Sequence, residues 1–151
     1  MGSNISKIYI RDGRAPILKN ESISKVMSAN KARNTEPEMI LRHILWAHGL
    51  RGYRLYWKKV PGRPDITFPY KKLAIFVNGC FWHRCPYCKL SLPKSNRKFW
   101  KNKFARNKNR DLIKIQKLKE QKWTVIIVWE CQIKKKLPKI INKIVQIYKN
   151  V

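Results

Sequence analysis

Acidic side chains are scarce in this chain. Eight Asp and Glu stand against 35 Lys and Arg, a formal charge of +27 over 151 residues. That imbalance exceeds what solubility alone needs. Counterion release makes a polyanion, nucleic acid first of all, the natural partner, bound in a salt-sensitive way. Long apolar runs are missing too. No stretch approaches a transmembrane span, and the opening MGSNISKIYIRDG has no secretory apolar region, so no membrane partner is expected. Met1 to Ser6 fits the simple N-myristoylation pattern, which a basic nucleic-acid-binding chain does nothing to support. Internal repeats are absent. Cysteines number four, and without a secretion signal they read as thiols for a metal rather than a disulfide frame. The length suits one real core and not two ordinary domains. Its six Trp, six Tyr and five Phe within 44% hydrophobic content are enough to fill that core.

Residues 1–26 mix Ile, Lys, Arg, Gly and Pro without a sustained period. They are expected to form an extended basic arm, with Ile8-Tyr9-Ile10 compatible with a short strand. Thr35-Glu36-Pro37-Glu38 then announces a helix: Thr35 suits the N-cap, Pro37 the first turn, and Glu38 the N3 position of a capping box. It should bury Ile40, Leu41, Ile44 and Leu45 and stop before Gly49. Strands are expected at Tyr53–Trp57, Asp65–Phe68 and Leu73–Val77, the last so apolar that it reads as central. A basic helix should run from about Arg97 to Gln121 with Phe99, Trp100, Phe104, Leu112, Ile115 and Leu118 inward. A buried strand, Thr124–Trp129, and a last amphipathic helix from Pro138 to about Lys149 complete one α/β layer structure with a mixed sheet.

The chemistry concentrates in Ile75 to Cys88, IFVNGCFWHRCPYC. Cys80, Cys85 and Cys88 are three close thiols, and Cys131 follows a strand able to pair beside Leu73–Val77. Four soft ligands suit a structural zinc, with Arg84 and Lys89 helping to keep the thiols ionised. Four small hydrophobes, or two disulfides, are the alternatives. Asp65, after Gly-Arg-Pro at a strand start, suits Mg²⁺, although an Asp beside Pro is more often a turn or cap residue. His83 could act as a general base, ligate zinc or simply pack. His43 and His48 read as surface or packing residues. Phe81 and Trp82 could stack on or wedge between bases, or belong to the core like Trp100, Trp123 and Trp129. The densest basic stretch offers Lys103, Arg106, Lys108 and Arg110 to a phosphate backbone.

The segments PGRPDITF, IFVNGCFWH, Asn107-x2-Arg110-Asp111 and WTVIIVWEC, in that order, resemble the very-short-patch repair (Vsr-type) T:G mismatch endonucleases. The resemblance spans about Val26 to Cys131. It implies a restriction-endonuclease-like core: a mixed sheet flanked by helices, with a structural zinc site. It also implies a break that leaves 5′-phosphate and 3′-hydroxyl ends. By motif, Asp65 matches the essential Mg²⁺-binding aspartate and Val77 a residue whose main-chain carbonyl helps to bind metal. His83 matches the histidine proposed to activate water, and Glu38 a glutamate that supports the active centre. Met27, Phe81 and Trp82 match residues placed in the DNA stack beside the mismatch. Cys80, Cys88 and Cys131 match zinc ligands, and Cys85 stands where some relatives use histidine. Two departures are visible. Cys88 needs one extra residue of spacing, and Asn78 stands where relatives often have a histidine proposed to assist the leaving group.

The expected protein is therefore a DNA endonuclease using one or two Mg²⁺ and one structural Zn²⁺. Residues 27–151 form the catalytic domain, with 1–26 as an arm. Asp65, His83, Glu38 and Asn78 lie at the catalytic centre. Double-stranded DNA is the expected partner of a monomer, alongside accessory repair proteins, in a prokaryotic cytoplasm near the nucleoid. A restriction or intron-homing nuclease on the same core is one alternative. A non-catalytic zinc-stapled nucleic-acid-binding module is another.

Overall fold

Leu73 to Asn78 is apolar at nearly every position because the strand is covered on both faces. Alternate residues point to opposite sides of a sheet. Leu73 and Ile75 enter a core with Leu41, Leu45, Ile140, Ile141 and Ile144, while Ala74 and Phe76 meet Val60 and Leu118 on the other side. The computed structural model describes residues 32–151. The expected arm at 1–26, the strand at Ile8–Ile10, the Met1–Ser6 pattern and Met27 lie outside the described residues.

The elements follow the expected order: α1 Glu36–Ala47, β1 Arg54–Leu55, β2 Ile66–Phe68, a 3-10 turn Pro69–Lys71, β3 Leu73–Asn78, α2 Arg97–Glu120, β4 Thr124–Trp129 and α3 Glu130–Asn150. The four strands lie in the order β1-β2-β3-β4. β1, β2 and β3 pair antiparallel; β3 and β4 pair parallel, in register from Leu73↔Thr124 to Asn78↔Trp129. A parallel pair needs a long crossover, and α2 supplies it. The result is a mixed α/β structure, with α1 and α3 packed on one face of the sheet and α2 on the other. No helix among the described residues is long and apolar enough to cross a membrane.

Three local expectations need correction. The strand expected over Tyr53–Trp57 is only Arg54–Leu55, because Tyr56 turns left-handed (φ 48°) and leaves the ladder. The last helix begins at Glu130 rather than Pro138 and kinks at Lys136. Pro138 has no amide to give the preceding turn, so the kink falls just before it. The third concerns α2. Trp100, Phe104, Asn107 and Leu118 set its inward stripe. At roughly 100° per residue Leu112 lies about 120° from that stripe, and it is 58% exposed.

That phase is testable by denaturant unfolding. Leu118→Ala should destabilise the fold by about 3 kcal/mol, whereas Leu112→Ala should change stability by no more than about 0.5 kcal/mol. Comparable losses at both positions would mean that the helix is phased differently.

Candidate functional site

The segment Pro61-Gly62-Arg63-Pro64 turns the chain sharply, with Gly62 and Arg63 both left-handed, and delivers Asp65 to the start of β2. Asp65 Oδ2 accepts the Val77 amide across the sheet at 2.7 Å. Burial pushes the Asp65 carboxyl from its ordinary 3.8 up to about 6; the Val77 amide opposes the rise, the Glu38 charge adds to it, and Lys114 and Arg42 lower it.

Glu38 is buried, and four donors engage it. Thr35 Oγ1 reaches Oε1 at 2.9 Å, while Oε2 accepts Asn34 N–H and Arg42 Nη2, each at 3.1 Å, and the Tyr56 hydroxyl. The capping box is therefore modified: Glu38 satisfies the amide of Asn34, one residue before the cap, and the Thr35 hydroxyl turns to the carboxylate. Tyr56 is held here by the turn that ends β1. Arg42 Nη2 donates to its oxygen at 2.7 Å and Nη1 to Asn34 Oδ1 at 2.7 Å. Neither Tyr56 nor Arg42 was singled out by sequence reasoning.

On the far side of the sheet, the inward stripe of α2 is polar in its middle. Asn107 Nδ2 donates to the Trp82 carbonyl at 3.0 Å and accepts from Arg110 Nη2 through its own Oδ1. One turn on, His83 Nδ1 donates to Asp111 Oδ2 at 2.5 Å, and Lys114 Nζ lies 2.8 Å from Asp111 Oδ1. Burial pushes the Asp111 carboxyl up, but the hydrogen bonds from His83 and Lys114 outweigh it and leave the group below the usual carboxylate range. A small cleft opens beside this pair, lined by Phe76, Asn78, Asp111, Lys114, Ile115 and Ile127. Asn78, at the end of β3, thus shares this cleft with Asp111 and Lys114. Asp111 had a signal in the sequence, since it is one of eight acids and closes the Asn107-x2-Arg110 segment. Lys114 had none among 35 cations.

Phe81 and Trp82 are half-buried in an aromatic cluster. Phe81 lies 5.0, 5.4 and 5.3 Å from the rings of Trp82, Trp100 and Phe104. Lys103 Nζ sits 5.2 Å from the Trp82 centroid, a cation–π contact. Arg106, Lys108 and Arg110 are exposed on the same helix; His43 is exposed on α1 and His48 at the cap just beyond it.

The parallel register ends β3 and β4 together, so Cys80 and Cys131 leave adjacent strand ends. With Cys85 and Cys88 they form a nest whose four sulfur atoms lie within 4.8 Å of one another. None is in a disulfide. The Cys85 and Cys131 sulfurs are 3.7 Å apart. Four sulfurs at about 2.3 Å from a tetrahedral zinc would be roughly 3.8 Å apart, so the donor set and spacing fit that ion. Burial pushes the Cys80 and Cys131 thiols up; at Cys85 the Tyr87 and Cys88 amides overcome the same effect and lower it. Arg84 does not serve the thiols as expected. It stacks 4.5 Å over Phe104 and donates to the Leu90 carbonyl.

Carboxylates and cations converge at one end of the sheet of a strongly basic chain, an arrangement suited to hydrolysis of a polyanion. Comparison with known proteins makes the class specific. Residues 15–89 match the family described as DNA mismatch endonuclease Vsr. The Type II nicking enzyme V.XorIIP of Xanthomonas oryzae pv. oryzae is 40% identical over 109 residues, 72% of this chain and 79% of the relative. The Type II nicking enzyme V.NmeAIP of Neisseria meningitidis is 38% identical over 75% of this chain and 80% of its own. The DNA mismatch endonuclease Vsr of Escherichia coli K12 is 37% identical over 74% and 70%. The chain belongs to the Vsr endonuclease family, and it is a DNA endonuclease, a hydrolase.

The raised Asp65 pKa has a consequence for stability. A carboxyl that holds its proton more tightly when folded stabilises the fold fully below its ordinary pKa of 3.8 and loses that contribution as pH rises through about 6. In metal-free protein, Asp65→Asn should therefore be more stable than native at pH 7.5, by about 2 kcal/mol once solvent screening is allowed for, and no more stable at pH 4. Denaturant unfolding in EDTA at both pH values measures it. No gain at pH 7.5 would mean the carboxylate is better solvated than its surroundings indicate.

Proposed function

We propose that this endonuclease nicks one strand of duplex DNA at a T:G mismatch by Mg²⁺-assisted hydrolysis, with one zinc in the four-cysteine nest. The His83–Asp111 pair carries the reading. An imidazole whose Nδ1–H is held by a carboxylate presents its Nε2 lone pair to take a proton from attacking water. Asp111 fixes the tautomer and stabilises the cation that results, without itself accepting the proton. Asp65 and the Val77 carbonyl would hold Mg²⁺, and Glu38 supports them through its charge. Among the described residues, Asp65 spends one carboxylate oxygen on the Val77 amide and keeps the other, which fits an ion that retains most of its waters. When bound, the ion supplies charge to a phosphoryl oxygen. Asn78 positions or polarises the phosphate from the end of β3.

The mismatch preference rests on the named activities of the relatives and on the half-buried Phe81 and Trp82, which we assign as a wedge at the weaker base step. Lys103, Arg106, Lys108 and Arg110 of α2, with the arm at 1–26 and Met27, would hold the duplex as a monomer. The core over 27–151 is read as restriction-endonuclease-like, on the strength of its three antiparallel strands followed by a parallel strand across a helix. A cytoplasmic, nucleoid-associated place beside accessory repair proteins follows from the substrate.

Purified protein should nick a T:G duplex with Mg²⁺ and not with EDTA. Asp65→Ala should abolish nicking while leaving most DNA binding. Unchanged cutting by that variant would remove Asp65 from the mechanism, and equal cutting of matched and mismatched duplexes would remove the specificity. Metal analysis should find about one zinc per chain, with Cys131→Ser losing both zinc and folded structure. Full zinc occupancy in that variant would sink the assignment of the nest.

A further inference from the structure

We propose that Lys114 is a catalytic residue of this centre: its ammonium meets the scissile phosphate beside Asn78 and gives a proton to the departing 3′ oxygen. The inference rests on the hydrolytic reading above and fills a role which that reading leaves without a proton donor. An asparagine amide stabilises charge, but it is no useful acid near neutral pH.

Lys114 is not a free surface lysine. It sits one turn beyond Asp111 on the inward stripe of α2, with a side chain 30% exposed. Its stem is pinned by the turn that delivers Asp65. A Cβ added at Gly62 would come within 2.7–2.9 Å of the Lys114 Cβ, Cγ and Cδ. Glycine at that point of the PGRPD segment is what lets the stem lie there, so the Asp65 turn and the α2 helix interlock at this one side chain. Among the described residues, the ammonium then has three surroundings. Asp111 Oδ1 takes one N–H at 2.8 Å, and the Phe76 ring lies 5.2 Å away. The cleft shared with Asn78 is the third. An ammonium has three donors, so one remains for a ligand entering that cleft. Its charge also lowers the Asp65 carboxyl's affinity for a proton, so the cation that pairs with Asp111 lies within electrostatic reach of the candidate Mg²⁺ ligand.

The step balances without further reagents. The water oxygen forms the new bond to phosphorus as its proton passes to His83 Nε2. The P–O3′ bond breaks, its electron pair goes to O3′, and O3′ takes a proton from Lys114 Nζ. His83 then releases a proton to solvent and Lys114 regains one. An ammonium is a much stronger acid than an alcohol, so this transfer runs downhill, and before it occurs the positive charge stabilises the phosphorane-like transition state.

A purely structural Lys114 would only hold Asp111 against His83, and a leaving-group test separates the two roles. Single-turnover nicking is measured on a T:G duplex with the ordinary bridging 3′ oxygen, and on the same duplex with sulfur there, a leaving group that departs without a proton. Rates are read as the ratio of variant to native on the same substrate. Lys114→Met should lose about 10²-fold or more on oxygen and recover about tenfold or more of that loss on sulfur, the remainder being the missing positive charge. Lys114→Arg keeps the charge and the partner but holds its protons too tightly to be an acid. It should bind and fold as native and show the same loss and rescue. Asp65→Ala should lose activity on both substrates. Equal losses on oxygen and sulfur for both Lys114 variants, or no loss in either, would overturn the proposal while leaving the hydrolytic reading intact. A native protein that cuts neither duplex would overturn the function proposed above, and this assignment with it.

Discussion

The parallel pairing of β3 with β4 is the constraint on which the rest of the structure depends. Its register runs unbroken from Leu73↔Thr124 to Asn78↔Trp129, so the two strands stop at the same level. Cys80 and Cys131 therefore leave the sheet side by side, although 50 residues of chain separate them. A slip of one residue would turn every side chain of one strand to the opposite face. It would break both cores, and it would also lift Asn78 out of the cleft with Asp111 and Lys114. The crossover that a parallel pair demands is α2, and the same helix brings Asn107, Asp111 and Lys114 to the loop beyond β3. Fold and site are fixed by one set of hydrogen bonds.

Two clusters of buried charge flank that register, and they solve the same problem differently. On the α1 side, Glu38 is satisfied by Thr35, Asn34, Arg42 and Tyr56. Paired this thoroughly, a buried carboxylate is rigid and chemically quiet. Among the described residues, Asp65 is held by one amide only. The difference is visible in its pKa, raised by burial, where Asp111 with two cationic or donor partners is lowered. An under-satisfied carboxylate costs stability and keeps an oxygen free for a cation. On the proposed reading the costly group and the useful group are the same residue, as strained or poorly satisfied positions at functional sites often are.

Much of this was legible in the sequence. β3 and β4 announced themselves because a strand buried on both faces must be apolar at successive positions. The cysteines did so because three thiols in nine residues leave few other readings. What stayed hidden depended on tertiary distance. His83 and Asp111 are 28 residues apart, and their pairing needs both the loop fold and the phase of α2. That phase was misjudged at Leu112, since a helix with aromatic residues at one end and Leu118 at the other admits several apolar faces by count. The stripe that won carries Asn107, Asp111 and Lys114 in its middle, polar residues that a search for an apolar face passes over. Tyr56 has high strand propensity, and only the Glu38–Arg42 network explains why it abandons the ladder. Lys114 was invisible because a lysine among 35 cations has no contrast; its pinning by Gly62 exists only in three dimensions.

The distribution of charge also decides where selectivity can reside. A chain carrying +27 binds any duplex through its phosphates, and those contacts contain no sequence or mismatch information. On the proposed reading the exposed cations of α2 would set residence on DNA, not choice of site. On the function proposed above, discrimination would come from steps that a matched duplex completes less readily: opening a base step against Phe81 and Trp82, and seating a phosphate near Asp65, His83, Asn78 and Lys114. Asn107 links the two, because it grips the Trp82 carbonyl one residue before His83 from the same helix that bears Asp111 and Lys114. A wedge that does not seat would pull on the carbonyl that aligns the base. Under the proposed mechanism, reading the DNA and cutting it would be mechanically coupled through Asn107, which is what an enzyme with indiscriminate affinity needs in order to cut selectively.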